Sequence, residues 1–355
     1  MLKNSISLLI SLFLASTLSA QDDMFFEKGG NLGGYGELHY NYVKPENGET
    51  TKTLDFHRFV LFYGYNWTEK WSFKAEVEIE HNFVADDHGE LELEQAYINY
   101  KHADWLNIQV GVILPSVGLL NEFHEPPLFL SVERPDYHKN IIPTTWFGNG
   151  LAITGNYKAF DYKLTIMEGL NGNKFSESSG IRSGRQKGFK SNAENLLYNA
   201  RVDYYGVSGL KTGISFTYNK AFHEIDEIPF TLVEFHSTYY KDNVYAVFEY
   251  GNISYSNYEI EKSYGFYADL GYNVGGLLGI NGELIPFVRF TDYNPSAVTK
   301  SGGDAEIKYH NSKWMIGTAF KPIPEVVFKI DYSSQKTELG DAKVDYFNIG
   351  AGYMF

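Results

Sequence analysis

From Asn31 onward, apolar and polar side chains alternate with a period of two through segment after segment, broken by clusters of Gly, Asn, Asp, Ser and Pro. Successive side chains of a strand point to opposite faces, so each segment reads as a strand with one apolar and one polar face. The first eight are Asn31 to Val43, Leu54 to Asn66, Trp71 to Phe83, Glu90 to Lys101, Trp105 to Leu114, Gly148 to Lys158, Asp161 to Glu168 and Asn195 to Tyr205. The second half continues with Gly209 to Lys220, Ile228 to Tyr240, Asn243 to Ile253, Glu261 to Val274, Asn281 to Tyr293, Ala305 to Phe320, Glu325 to Ser334 and Lys343 to Phe355. This predicts an all-β, antiparallel transmembrane barrel of about 16 strands, an even number within the range of single-chain bacterial barrels.

Connection lengths test the count independently. If the first strand runs outward, every second connection is a turn on the periplasmic side: Trp67 to Lys70, His102 to Asp104, Ala159-Phe160, Gly206 to Ser208, Lys241-Asp242, Gly275 to Ile280 and Lys321 to Pro324. All are short, and both chain ends fall on that side. The intervening connections are generally longer and more polar, as extracellular loops are, including Pro115 to Phe147 and Gly169 to Glu194. Trp67, Trp71 and Trp105 lie beside the short turns, where an interfacial aromatic belt is expected.

Composition separates a barrel from a helical membrane protein. Past the amino-terminal segment no window approaches the roughly 18 consecutive apolar residues of a helical span. Yet aromatic residues make up 17% of the chain, with Tyr 28, Phe 26 and Gly 34, as expected when only alternate residues face lipid. A secreted array of β-sandwiches also alternates, but a chain of this length would then divide at linker-like Pro, Ser or charged stretches, and none stands out. The last strand carries Phe347, Ile349, Ala351, Tyr353 and Phe355 on one face. That apolar row suits a closing strand whose outer face meets lipid.

At the amino terminus, Lys3, the apolar run Ile6 to Leu14 and the small residues up to Ala20 have the order of a secretory signal peptide. Residues 1–20 are therefore expected to be cleaved, leaving 21–355 as the barrel. With Cys 0 in the composition, neither disulfides nor a lipid-modified cysteine occur.

The pattern also says which face looks where. Phe73, Ala75, Val77 and Ile79 are placed toward lipid, and Lys74, Glu76, Glu78 and Glu80 inward. Similar inward rows are Asn199, Arg201 and Asp203; Lys211, Ser215 and Thr217; and Lys329 and Asp331. An Arg or Lys left on the lipid face at the midplane would cost roughly 2–4 kcal/mol, so the register is strongly set. The third extracellular connection, Pro115 to Trp146, is far longer than the usual loop of a few residues. Its Leu119, Leu120, Leu128, Phe129 and Leu130 would be costly in water. The segment is expected to fold into the lumen and narrow the pore, an external cap or partner surface being the other reading.

Arg58, Glu76, Glu78, Glu80 and Glu94-Gln95-Ala96-Tyr97, followed by Gly111, Pro115, Gly118, Asn121-Glu122, His124-Glu125-Pro126-Pro127, Arg134-Pro135, Ile142-Pro143-Thr144-Thr145-Trp146 and Gly150, together resemble the porins grouped as the phosphate-selective O and P type. Gly180-Ile181-Arg182 and Gly184-Arg185 resemble the next loop of that family. The resemblance implies a water-filled, trimeric barrel with an inward constriction loop. From the inward rows and the third loop, the expected lining groups are Arg58, Lys74, Glu76, Glu78, Glu80, Arg201, Glu122, His124, Glu125 and Arg134.

Selectivity is a separate matter. Phosphate-selective members are understood to carry basic rows along the path, whereas here the third loop sets Arg134 and Lys139 against Glu122, Glu125, Glu133 and Asp136, above a lumen holding Glu76, Glu78, Glu80, Glu90, Glu92 and Glu94. The formal net charge is -14. The fourth loop is locally basic, with Lys174, Arg182, Arg185, Lys187 and Lys190, suited to anions at the mouth, to anionic lipopolysaccharide or simply to solvation. The expectation is a general or mildly selective outer-membrane pore for small polar solutes and ions, with a phosphate-selective pore and a closed barrel acting as enzyme or adhesin as alternatives.

Other classes find little support. There is no GxSxG elbow, no HExxH and no glycine-rich phosphate fingerprint. Glu122, His124, Glu125 and His138 could be read as metal ligands, but their spacing matches no strong metal motif. Basic groups form no nucleic-acid stripe. Only about ten residues separate the expected cleavage site from the first strand, too few for the plug domain of an energised transporter. No cofactor is required.

Overall fold

The computed structural model describes residues 28–85, 88–339 and 342–355; the expected signal peptide lies outside them. Sixteen strands follow one another along the chain: β1 (Gly29–Pro45), β2 (Thr51–Asn66), β3 (Trp71–Ala85), β4 (His88–Ala103), β5 (Leu106–Ile113), β6 (Gly148–Tyr157), β7 (Phe160–Met167), β8 (Leu197–Val207), β9 (Leu210–Ala221), β10 (Ile228–Lys241), β11 (Val244–Tyr255), β12 (Ile260–Tyr272), β13 (Glu283–Thr299), β14 (Asn311–Ile323), β15 (Val326–Thr337) and β16 (Lys343–Met354). Each pairs antiparallel with its chain neighbours, and β1 pairs with β16, so the sheet closes into a barrel with no free edge. At the seam Gly34 and Phe355 exchange two backbone hydrogen bonds, both 2.9 Å.

Alternation sorts the faces. On β15, Phe328, Ile330 and Tyr332 are exposed while Val327, Lys329, Asp331 and Ser333 are buried. On β8, Tyr198 and Val202 are exposed while Asn199, Arg201 and Asp203 are buried. Apolar groups outside and charged groups inside invert the arrangement of a water-soluble sheet and match one bathed in lipid. Trp67, Trp71 and Trp105 are exposed beside the short turns, as expected.

Residues 67–70, 104–105, 158–159, 208–209, 242–243 and 324–325 connect strands at one end, together with the longer 273–282, which holds a helical turn at Gly275–Leu278; the two longest connections, 114–147 and 168–196, lie at the other end. The connection between β3 and β4 at the long-loop end is brief, because these strands run on as a ribbon to Ala85 and His88. Most strand starts fall within about three residues of the sequence reading, and the largest difference is at β14. Residues 304–308 form a short helix, Asp304–Lys308, and β14 begins only at Asn311. Gly302 and Gly303 interrupt the extended chain at positive φ, and the acidic first turn and terminal Lys308 match the helix dipole.

The apolar core lies between the inward faces of the strands and the 114–147 segment. Val117, Tyr137, Ile141, Ile142 and Trp146 of the segment pack with Leu232, Val247, Ile253, Tyr255 and Tyr267. Wall glycines allow this closeness. A Cβ on Gly251 would come within 2.6 Å of the Tyr137 hydroxyl, and one on Gly352 within 2.4 Å of the Pro126 ring.

Candidate functional site

The inward rows meet the 114–147 segment in three groups. The first is built on β1 to β4. Arg58 Nε lies 2.7 Å from Glu37 and its Nη1 lies 3.2 Å from Glu78, all three side chains being buried. His39 bridges Glu37, at 3.2 Å, and Glu133 of the segment, at 2.9 Å, and Asn41 donates to Glu133 at 2.8 Å. A bulge interrupts β3 and β4 here: Glu76 pairs with Gln95 and Val77 with Leu93, which leaves Glu94 as the extra residue. The alternation slips by one, so Glu94 and Gln95 are both buried. Gln95 then donates to Glu76 Oε2. His124 faces Glu76 Oε1 at 3.6 Å and Glu94 Oε2 at 3.4 Å.

The second group spans β7 to β11. Arg201 binds Asp203 at 3.0 and 3.1 Å and donates to the Gly118 carbonyl at 2.7 Å. Asp203 is shared with His236 at 2.7 Å and Lys211 at 3.2 Å. Glu249 accepts the Leu119 amide at 2.8 Å and pairs with His138 at 2.6 Å. Asn199 accepts the Ser116 amide at 3.0 Å. Lys163 holds both the Leu114 carbonyl, at 2.7 Å, and Glu122. Gly118, at φ +69, lets the chain turn beneath Glu249, where a Cβ would come within 2.8 Å of its carboxylate.

The third group spans β12 to β15. Asp269 takes Arg289 in a two-point grip at 2.5 and 2.6 Å. Arg289 also donates to the Ser131 hydroxyl, and Lys329 to the Ser131 carbonyl at 2.8 Å. Asp331 accepts the Val132 amide at 2.7 Å, and Lys313 reaches Asp136 at 3.0 Å.

Charge states in the segment follow from these partners. Burial opposes ionisation of Glu122, but Lys163 and Arg201 beside it hold its carboxyl below the usual range. Burial, reinforced by Arg134, pushes the His124 imidazole down to about 3, so it is neutral at ordinary pH.

The sequence-predicted lining set is thus divided. Arg58, Glu76, Glu78 and His124 come together at the β1 to β4 wall, with Arg134 among the charges acting on His124. Arg201 and Glu122 belong to the second group. Glu80 faces Arg58 across the β2 and β3 ladder, Lys74 has its ammonium 5.5 Å from the Phe62 ring, and Glu125 is half-buried. The alternative metal set of Glu122, His124, Glu125 and His138 is not one cluster, because Glu122 is taken by Lys163 and His138 by Glu249.

The basic loop is divided too. Arg182 donates to the Thr144 carbonyl at 2.7 Å and Arg185 to the Pro143 carbonyl at 3.2 Å, so both brace the neighbouring segment. Lys187 pairs with Glu90 and Glu92; burial lowers its pKa, but those hydrogen bonds raise it further. Lys174 and Lys190 are exposed. Sequence reasoning missed Glu37, Glu249, Asp269, Arg289 and Lys313, although Glu249 lies between the exposed Phe248 and Tyr250, and Arg289 between the exposed Val288 and Phe290.

The profile of the family described as phosphate-selective porin O and P matches residues 31–228. An uncharacterized protein of Aquifex aeolicus (strain VF5) is 32% identical over 335 residues, covering 86% of this chain and 76% of that one. Among solved structures, Salmonella typhi OmpF, in complex with daunomycin, is similar with a TM-score of 0.64 and 12% identity, covering 92% of this chain and 98% of that one. The anion-selective porin from Comamonas acidovorans has a TM-score of 0.63 and 11% identity, with 93% and 100% covered. The outer membrane channel DcaP of Acinetobacter baumannii has a TM-score of 0.61 and 14% identity, with 92% and 97% covered. At these identities the solved structures share the fold.

Proposed function

The chain belongs to the phosphate-selective porin O and P family, an outer-membrane pore by family and by barrel, and from that premise we propose that it passes small polar solutes and ions by passive diffusion with general or mild selectivity. The observation that carries the second half is the pairing of three arginines on the inward faces of the strands. Arg58 is held by Glu37 and Glu78, Arg201 by Asp203, and Arg289 by Asp269. A guanidinium already gripping a carboxylate has little left to offer a phosphate. Charges of both signs along the wall instead set a local field that orders water and favours polar over apolar solutes.

The 114–147 segment is the constriction in this reading. Support comes from its hydrogen bonds to inward side chains on β8, β11, β13 and β15, with Pro126 and Val132 against Gly352 and Gly350 on β16. Permeation is electrodiffusion, with no covalent step and no cofactor. The mature protein is residues 21–355 after export, assembled as a homotrimer among outer-membrane lipid and lipopolysaccharide; the trimer form of Vibrio cholerae OmpT shares the fold, with a TM-score of 0.60.

Planar-bilayer conductance tests the reading, with reversal potentials under a salt gradient and phosphate titrated against chloride current. Stepwise openings indifferent to phosphate are expected. Block at low phosphate would restore the phosphate-selective alternative, and an inserted barrel that conducts nothing would move the weight to a closed enzyme or adhesin.

A further inference from the structure

At the β3 and β4 bulge three side chains converge. Glu76, Glu94 and His124 are 1%, 0% and 2% exposed. One ligand atom from each lies within 4.8 Å of the other two. His124 Nδ1 is 3.3 Å from the Asn121 carbonyl, an acceptor only, so Nδ1 carries the proton and Nε2 presents a lone pair. That lone pair faces Glu94 Oε2 at 3.4 Å and Glu76 Oε1 at 3.6 Å. Three acceptors turned on one another repel unless a proton or a metal cation lies among them. Among the described residues, both Glu94 oxygens and His124 Nε2 are buried without a hydrogen-bond partner, and such orphans are costly in a folded chain.

Among the described residues no nearby cation hydrogen-bonds to Glu94 or to His124 Nε2. Arg58 is committed to Glu37 and Glu78. Arg134 acts on His124 through its charge; among the described residues its Nη1 donates to the Thr145 hydroxyl at 3.3 Å, while its Nε and Nη2 are buried without a partner. Lys74 lies over Phe62, and Glu78 and Glu125 add negative charge to the same wall.

We propose that Glu76, Glu94 and His124 form a site for a divalent first-row transition-metal ion of the Zn²⁺ class, which ties the 114–147 segment to the wall of β3 and β4. The separations of 3.4 and 3.6 Å are long for hydrogen bonds. They suit two ligands on one tetrahedral ion with bonds of about 2.0–2.2 Å. Two carboxylates and an imidazole form a donor set that such ions take and that Mg²⁺, which prefers oxygen, does not. The outer partners are in place as well: His124 donates Nδ1–H to a backbone carbonyl, and Gln95 holds the far oxygen of Glu76. A fourth position is left for water or a passing solute.

The test uses the full-length mature barrel in detergent, without a histidine tag, stripped with chelator and titrated with Zn²⁺ by calorimetry and with Co²⁺ by visible absorption. One equivalent per chain is expected, with the intense d–d bands of four- or five-coordinate Co²⁺. Glu94→Gln, nearly isosteric, and His124→Ala should each weaken binding by more than about 10-fold, since losing outer partners alone does as much. Both variants are checked for heat-resistant folding on gels. Absence of binding to the wild type, or equal binding by folded Glu94→Gln and His124→Ala, overturns the site. The site does not rest on the pore: a barrel that binds Zn²⁺ but conducts nothing keeps it, and one that conducts without binding the ion loses it.

Discussion

His138 Nε2 and Glu249 Oε2 lie 2.6 Å apart with both side chains fully buried, joining the short helix Tyr137–Asn140 to the middle of β11. Glu249 spends its other oxygen on the Leu119 amide, so one strand residue fastens the segment at two places. Removing the Glu249 carboxylate leaves the buried His138 imidazole and the Leu119 amide without their acceptor, a loss of about 1–3 kcal/mol for an unsatisfied buried group. Glu249→Ala is expected to lower the denaturant midpoint accordingly and to make single-channel current noisier as the segment loosens. Glu249→Gln keeps an acceptor for Leu119 and should lose less. Equal midpoints for Glu249→Ala and wild type would show that the segment is held elsewhere.

Gly352 marks a second place where wall and segment touch. A Cβ there would meet the Pro126 ring at 2.4 Å, and the neighbouring Gly350 faces Val132 in the same way. Gly352→Val should overpack this contact at a cost of about 1–3 kcal/mol. Because β16 also pairs with β1 and β15, the barrel should persist and the segment should yield. The expected readout is a changed conductance with unchanged β-sheet circular dichroism. Identical conductance would place the segment's stiff part elsewhere.

The strand order was legible because one physical rule, lipid outside and water inside, is imposed on every strand at once. Lys329 and Asp331 could be assigned inward from their apolar neighbours alone, and they are buried. The slip at Glu94 was not legible, although Leu93 and Ala96 bracket two successive polar residues that no strict alternation accommodates. Long-range partners were also hidden, since His138 and Glu249 are 111 residues apart and no periodicity links a loop to a particular strand. The helix at Asp304–Lys308 was misread as strand because its apolar residues, Ala305 and Ile307, also alternate.

Asp269 decides whether Arg289 is available to anions. The pair is bidentate and nearly inaccessible. Asp269→Asn retains the shape but removes the charge that neutralises the guanidinium. The reversal potential under a salt gradient is then expected to move toward the chloride equilibrium potential, with phosphate slowing the chloride current where the wild type is indifferent. Should Asp269→Asn and wild type give the same reversal potential, Arg289 lies off the path.

The acidic row on β3 offers the complementary change. Glu80 is half-buried and makes no side-chain hydrogen bond or ion pair among the described residues, whereas Glu78 shares Arg58 with Glu37. Neutralising Glu80 removes an uncompensated negative charge. Neutralising Glu78 also leaves Arg58 with a single carboxylate partner. Glu78→Gln with Glu80→Gln should therefore shift selectivity toward anions, with Glu80→Gln contributing through water and Glu78→Gln through the freed guanidinium. Exposed charges are screened within about 8–10 Å at moderate ionic strength, so the Glu80 contribution should shrink from low to high salt while the Glu78 contribution persists. Recording both single variants and the double variant in chelator keeps Glu76 and Glu94 free of any bound ion. Reversal potentials that stay at the wild-type value in all three would remove this wall from the permeation path.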